Sequence, residues 1–93
     1  MVIVTRSVRF VGRVQGVGFR AAAMSKARKL SVNGWVRNSE KFDTVEAMLQ
    51  GEERKVDEFI NFFKSPQGMI RVDSVAVDKI NNSEKLGSFG IKY

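Results

Sequence analysis

Phe10-Val11-Gly12-Arg13-Val14-Gln15-Gly16-Val17-Gly18-Phe19-Arg20 is the stretch on which the fold turns. Ahead of and into it, Thr5 to Val11 alternates, with Val8 and Phe10 on one face and Arg9 on the other, as a half-buried strand does. Behind it, Ala21 to Leu30 sets Ala23, Met24, Ala27 and Leu30 on one helical face. The stretch therefore reads as a strand-to-helix turn. It holds Gly12, Gly16 and Gly18, three of the eight glycines in the chain. Glycine reaches φ > 0 without strain, so these positions permit a loop whose main-chain N–H groups converge on an anion at a helix N-terminus.

Charge placement sharpens that reading. The first turn of a helix ordinarily carries Asp or Glu, which the macrodipole favours by about 0.3–1 kcal/mol. Here the helix opens with Phe19, Arg20, Ala21, Ala22 and Ala23. A cation at that end suits a site built for a phosphate or carboxylate. An Arg20 that only points into water is the competing explanation from spacing alone.

The remaining chain reads outward from this turn. Lys26, Arg28 and Lys29 complement the C-terminal end of the helix dipole as a solvated face. Val32-Asn33-Gly34 is expected to stop the helix. Trp35 to Asn38 is predicted as a second strand, with Trp35 in packing and Arg37 turned to solvent or the open side of the sheet. Ser39-Glu40-Lys41-Phe42-Asp43 is the hairpin connection to a third strand at Thr44 to Leu49, ended by Gly51. From Glu52 and Glu53 a second helix is predicted, with Val56, Phe59, Ile60 and Phe63 at i, i+3, i+4 and i+7, closing at Ser65-Pro66. Phe62 lies off that stripe. Ile70 to Ile80 reads as a strand bulged or bent at its start, Asn81 to Gly87 as a loop, and Phe89, Ile91 and Tyr93 as alternating positions of a last short strand.

The order βαββαβ with a short extra strand specifies an α+β fold, the ferredoxin-like split βαβ sandwich, with an antiparallel sheet and both helices on one face. Ninety-three residues make a single domain, 1–93, so any site lies on loops at the edge of one core.

Composition narrows the chemistry. Sixteen Lys and Arg against ten Asp and Glu give a net charge of +6, which favours anionic partners. There is no Cys and no His, which excludes disulfides, thiolate catalysis, thiolate metal sites and an imidazole base. Gly16-Val17-Gly18-Phe19-Arg20-Ala21 satisfies the dinucleotide fingerprint, but the chain is too short for the parallel βα units which that fold requires. No Gly-Lys-Ser/Thr follows the glycines, so a P-loop is excluded. Glu40, Asp43 and Glu46 could be imagined around Mg²⁺, but three carboxylates near a hairpin are more often solvated, and no metal or other cofactor is expected. The N-terminus lacks a signal-peptide run and no membrane-length apolar segment occurs, so a cytoplasmic protein is the expectation; separately, a monomer is expected.

An anion cradle with an arginine, and with neither a nucleophile nor a histidine, fits a reaction whose leaving group departs unaided. An acyl phosphate releases a carboxylate, whose conjugate acid has a pKa of about 4. Phosphoryl transfer then depends on positioning and on charge stabilisation. A carboxamide suffices to orient the water.

Gly12-Arg13-Val14-Gln15-Gly16-Val17-Gly18-Phe19-Arg20, followed by Gly34-Trp35-Val36-Arg37-Asn38, resembles the acylphosphatase family. Thr44-Val45-Glu46 and the terminal Phe89-Gly90-Ile91-Lys92-Tyr93 extend the likeness over essentially the whole chain. The resemblance implies phosphate binding by Arg20 and by the main-chain amides of Gln15, Gly16, Val17, Gly18 and Phe19. It assigns to Asn38 the orientation of the attacking water. It also implies metal-free hydrolysis of small acyl phosphates and a site that inorganic phosphate or sulfate would occupy. Taken alone, Asn38 reads as a strand-end turn residue and Gln15 as a turn residue. Of Gln15 only the main-chain N–H is assigned.

Two departures stand out: the family turns after its asparagine through Asp-Gly, whereas the connection here has no glycine and is one residue longer; and Ser65-Pro66 replaces Gly-Pro. Two further readings remain open. One is a nucleic-acid-binding module on the same fold, which would need aromatic residues on the open face of the central strands; the third strand offers none. The other is the acylphosphatase-like portion of a larger carbamoyl-transferring protein, against which the chain length favours a free-standing enzyme.

Overall fold

In the computed structural model, which describes residues 2–81 and 84–93, the chain runs through five strands and two helices. These are β1 (Ile3–Arg13), α1 (Phe19–Lys29), β2 (Asn33–Asn38), β3 (Thr44–Glu52), α2 (Glu53–Lys64), β4 (Arg71–Ile80) and β5 (Gly90–Ile91). The strands lie in the order β4-β1-β3-β2-β5. All neighbours are antiparallel except β2 and β5, which pair in parallel through Trp35 with Gly90 and Val36 with Ile91. The antiparallel sheet expected from the sequence therefore holds for four strands, and the added terminal strand makes it mixed. That direction follows from topology, because the chain leaving β4 must reach the opposite edge of the sheet to form β5.

Alternation decides which side of the sheet each residue serves. Phe10 lies between Val45 and Val75, and Val8 between Ala47 and Val77, so two rows cross three strands on the helix side of the sheet, the second ending at the exposed Val77. Val36 and Leu49 continue the inward surface, and Ala23, Ala27, Val56, Phe59 and Phe63 of the helices cover it. The Phe rings form a connected cluster: Phe19 stands 4.8 Å from Phe63 and 5.1 Å from Phe10, and Phe59 stands 5.0 Å from Phe63 and 6.0 Å from Phe89. Full burial of such a side chain contributes about 1.5–3 kcal/mol, so this cluster dominates the core. Phe62 packs edge-on against Phe63 and has the Lys26 Nζ 4.3 Å from its ring centre, a small role the sequence did not signal.

The predicted bend in β4 is a bulge. Val11 pairs with Ser74 but Gly12 pairs with Val72, leaving Asp73 as the extra residue. A Cβ on Gly12, whose φ is 149°, would lie 2.3 Å from the Arg71 carbonyl oxygen. Gly12 thus serves strand pairing at the bulge and lies outside the anion loop to which the sequence assigned it.

The expected helix stop at Val32-Asn33-Gly34 is also corrected. Helix α1 ends at Lys29, and Ser31 takes the left-handed conformation at φ 58°. Val32 N–H donates to Ala27 C=O at 2.8 Å and Ser31 N–H to Arg28 C=O at 3.3 Å, the pair of bonds that closes a Schellman motif. Gly34 belongs to β2, where a Cβ would fall 1.8 Å from the Met48 carbonyl oxygen.

Of the predicted loop Asn81 to Gly87, Asn82 and Ser83 lie outside the described residues. The part from Glu84 to Gly87 is pinned to the outer side of the sheet. Gln50 Nε2 donates to Glu84 C=O at 2.7 Å and to Thr5 Oγ1 at 3.0 Å, while Leu86 N–H donates to Gln50 Oε1 at 2.8 Å. Asn33 Nδ2 donates to Leu86 C=O, and Gly34 N–H to Gly87 C=O. Two strands run beyond their predicted ends: β1 reaches Arg13, and β3 continues through Gly51 to Glu52. The terminal strand is shorter than the alternation suggested; Phe89 is buried and Tyr93 is 99% exposed. Trp35 stands on the outer face, with Arg37 and Lys92 stacked on its ring at 5.1 and 4.5 Å, and Arg37 is fixed by an ion pair to Glu46 at 2.8 Å. Among the described residues, no helix is long and apolar enough to cross a membrane.

Candidate active site

The glycine loop is tied at both ends into the core. Val14 before it and Phe19 after it are each 1% exposed. Between them, Gly16 and Gly18 hold φ of 73° and 83° with open space where a side chain would project. These two glycines are needed for backbone handedness, since a left-handed residue with a Cβ costs roughly 1–2 kcal/mol. Gly18 is the N-cap of α1, and no side chain caps the helix. The first backbone bond of the helix runs from Ala22 N–H to Gly18 C=O.

Residues 15–18 form a hydrogen-bonded turn, and among the described residues no short, well-aligned hydrogen bond engages the N–H groups of Gln15, Gly16, Val17, Gly18 and Phe19. Five donors lie along one tight turn, at the positive end of a helix dipole and with no acidic residue in its first turn. Such a group of amides receives an anion with several hydrogen-bond acceptors.

Arg20, one residue into the helix, is half-buried. Its guanidinium lies 5.4 Å from the centre of the Tyr93 ring and makes no hydrogen bond or ion pair among the described residues. Tyr93 follows β5, which runs alongside β2, and Lys92 N–H donates to Val36 C=O at 2.8 Å. Strand β5 thus carries Tyr93, and with it the ring beside Arg20, toward the C-terminal end of β2, the end that carries Asn38.

Asn38 is the last residue of β2, opposite Val45. It falls in the inward phase of the strand, on the helix side of the sheet. Its Oδ1 is buried and has no hydrogen-bond partner. Buried polar atoms are nearly always paired, and an unpaired acceptor costs about 1–3 kcal/mol. No hydrogen bond joins Asn38 to Arg20.

The side chain of Gln15 is the feature that sequence reasoning missed. Its Nε2 donates to the carbonyls of Ser39 at 3.1 Å, Lys41 at 2.9 Å and Thr44 at 2.8 Å. These residues form the connection that begins immediately after Asn38. Gly12 N–H adds a bond to Asp43 C=O at 2.9 Å. The glycine loop and the β2–β3 connection are thus one bonded unit. No local signal pointed to this, because the partners lie 24 to 29 positions away in sequence.

Glu40, Asp43 and Glu46 do not form a metal site: among the described residues, no group of three His, Cys, Asp or Glu side chains could hold an ion. Asp43 accepts from Thr44 Oγ1 and Glu46 pairs with Arg37. A cleft of about 720 Å³ bordered by Lys29, Ser31, Gln50 and Lys55 lies at the other end of α1, away from these groups.

Comparison with known proteins identifies the family. A family model described as acylphosphatase matches residues 6–91. The chain is 39% identical over 82 residues to the acylphosphatase of Anaeromyxobacter dehalogenans, covering 88% of this chain and 87% of that one. It is 42% identical over 84 residues to the acylphosphatase of Thermococcus kodakarensis, covering 90% of each. The crystal structure of the acylphosphatase from Bacillus subtilis superposes with a TM-score of 0.90 at 29% identity, over 99% of this chain and 100% of that chain. Full-length HypF in its phosphate- and nucleotide-bound form matches with a TM-score of 0.88 at 29% identity, but there 99% of this chain covers only 12% of the other. With a glycine loop opening the first helix of a ferredoxin-like fold and a family match over residues 6–91, this chain belongs to the acylphosphatase family of enzymes.

Proposed function

We propose that the chain hydrolyses the carboxyl–phosphate bond of small acyl phosphates to a carboxylate and inorganic phosphate, without a metal ion. The amides of Gln15, Gly16, Val17, Gly18 and Phe19 and the guanidinium of Arg20 hold the phosphoryl oxygens, and Asn38 orients the attacking water. The observation that carries this reading is the buried, unpartnered Asn38 Oδ1. That oxygen is closed to water as it stands, and a rotation of the half-buried Asn38 side chain toward solvent would give it a water to accept from, one that keeps a lone pair free to attack phosphorus.

Attack forms the new P–O bond as the bond from phosphorus to the acyl oxygen breaks. The electron pair leaves on a carboxylate that is stable unprotonated near neutral pH. The proton released from the water passes to phosphate or solvent. Charge on the equatorial oxygens is met by fixed dipoles and a cation already in place, which is the largest kind of contribution a site of this type makes. The same amides and Arg20 would bind inorganic phosphate or sulfate. The reading is of a cytoplasmic monomer acting on a small molecule, with neither nucleic acid nor membrane as partner.

The test follows loss of benzoyl phosphate by absorbance. Arg20→Ala and Asn38→Ala are each expected to remove most turnover while circular dichroism and the melting temperature stay at the parent values. Full activity in either variant overturns the assignment of that residue.

A further inference from the structure

We infer that Gln15 is a positioning residue for Asn38: its side-chain amide sets the distance between the phosphate cradle and the group that orients the water. The inference rests on the role proposed for Asn38 and extends it to a residue that does not touch the reacting water.

The connection between β2 and β3, residues 39–43, contains no glycine, and none of its residues has a positive φ. Tight hairpins usually depend on such residues. Its internal bonds are few: Ser39 N–H to Thr44 C=O at 3.0 Å, Thr44 N–H to Lys41 C=O at 3.1 Å, and Lys41 N–H to Ser39 Oγ at 3.2 Å. What gathers the carbonyls of Ser39, Lys41 and Thr44 onto one point is Gln15 Nε2, within 3.1 Å of all three. A carboxamide nitrogen carries two hydrogens, so one of them is shared between two carbonyls. A donor supplied from outside the turn replaces the glycine geometry that the turn lacks.

Gln15 can serve as this anchor because it is itself fixed. It follows Val14, which is 1% exposed, and its own N–H is the first of the cradle amides. One residue therefore faces the anion with its main chain and the Asn38 hairpin with its side chain. Ser39, which receives one of the three bonds, is covalently attached to Asn38. Loss of the bonds frees the strand end that carries Asn38 while leaving the cradle amides in place. A displacement of about 1 Å in a reacting group can cost on the order of 100-fold in rate.

The experiment measures kcat with benzoyl phosphate and the competitive inhibition constant of inorganic phosphate for Gln15→Met, alone and combined with Asn38→Ala. Met has similar length and no donor. Gln15→Met is expected to lower kcat about 10- to 100-fold, to leave phosphate inhibition within about twofold, and to add nothing in the Asn38→Ala background, since coupled residues are non-additive. Gln15→Lys, whose ammonium offers three donors, is expected to recover most of kcat, and it keeps the inference testable if the Met variant folds poorly. Unchanged kcat in Gln15→Met, an equal loss of phosphate affinity, or a full multiplicative loss on top of Asn38→Ala overturns the inference while leaving the proposed role of Asn38 intact. Full activity of Asn38→Ala alone overturns both.

Discussion

The Arg20 guanidinium lies over the ring of Tyr93 at 5.4 Å from its centre, so the residue one step into the first helix is met by the last residue of the chain. Arg20 has no ion pair among the described residues. The ring, itself 99% exposed, stands beside the guanidinium without neutralising it, so the charge stays available to an anion.

Removing that ring should weaken anion binding without disturbing the fold. A cation–π contact at an exposed site is worth about 0.5–1 kcal/mol, so Tyr93→Ala should raise the inhibition constant for phosphate roughly two- to fivefold. Tyr93 is 99% exposed, so the melting temperature should stay at the parent value. Tyr93→Phe keeps the ring and should behave as the parent.

The glycines divide into two kinds, and alanine substitution should separate them. Gly16 and Gly18 have left-handed φ and open surroundings, so Gly16→Ala should cost about 1–2 kcal/mol of stability. Phosphate affinity should fall in parallel as the loop resists its conformation. Gly34→Ala places a Cβ 1.8 Å from the Met48 carbonyl oxygen, where backbone must move. Its cost should exceed that of Gly16→Ala by at least about 2 kcal/mol. Urea denaturation of both variants checks the order.

Gln50 should matter for stability although it is remote from the cradle. It is 8% exposed and bonded to Thr5, Glu84 and Leu86. Gln50→Leu leaves the Glu84 carbonyl and the Leu86 amide without their side-chain partner, at about 1–3 kcal/mol for each group that stays buried. The melting temperature should fall by several degrees, on the order of 4–8 °C per kcal/mol for a domain of this size. Because β5 follows this connection and carries Tyr93 beyond it, phosphate inhibition should weaken as well.

Chelation should leave turnover unchanged. Dialysis against EDTA followed by the benzoyl phosphate assay is expected to give the same kcat with and without added Mg²⁺. A tenfold loss restored by a divalent cation would require a metal in the mechanism proposed above.

Much of the fold is legible locally. The stripe Val56, Phe59, Ile60 and Phe63 is read from a 3.6-residue period, and all four are buried. The alternation at Val8 and Phe10 likewise identifies the inward face of β1. The glycine loop was legible as an anion loop from its own residues, whereas Asn38 entered the candidate site only through the family resemblance. Ser31 was not legible, because a left-handed helix end normally announces itself by glycine. Gly12 and Gly34 were misread for the related reason that glycine marks a demand on the backbone without saying whether the demand is a turn or a neighbouring carbonyl.

What the sequence determined by itself were the elements, the inward faces and the types of group available for chemistry: amides, a guanidinium and a carboxamide, with no imidazole or thiol. These are properties of periodicity and composition and need no partner. Tertiary structure alone decided that β5 joins β2 in parallel, that the Tyr93 ring stands beside Arg20, and that Gln15 bonds the turn beyond Asn38. Each of those relationships joins groups far apart along the chain, and only packing the helices onto the sheet brings them within hydrogen-bond or ring-contact distance.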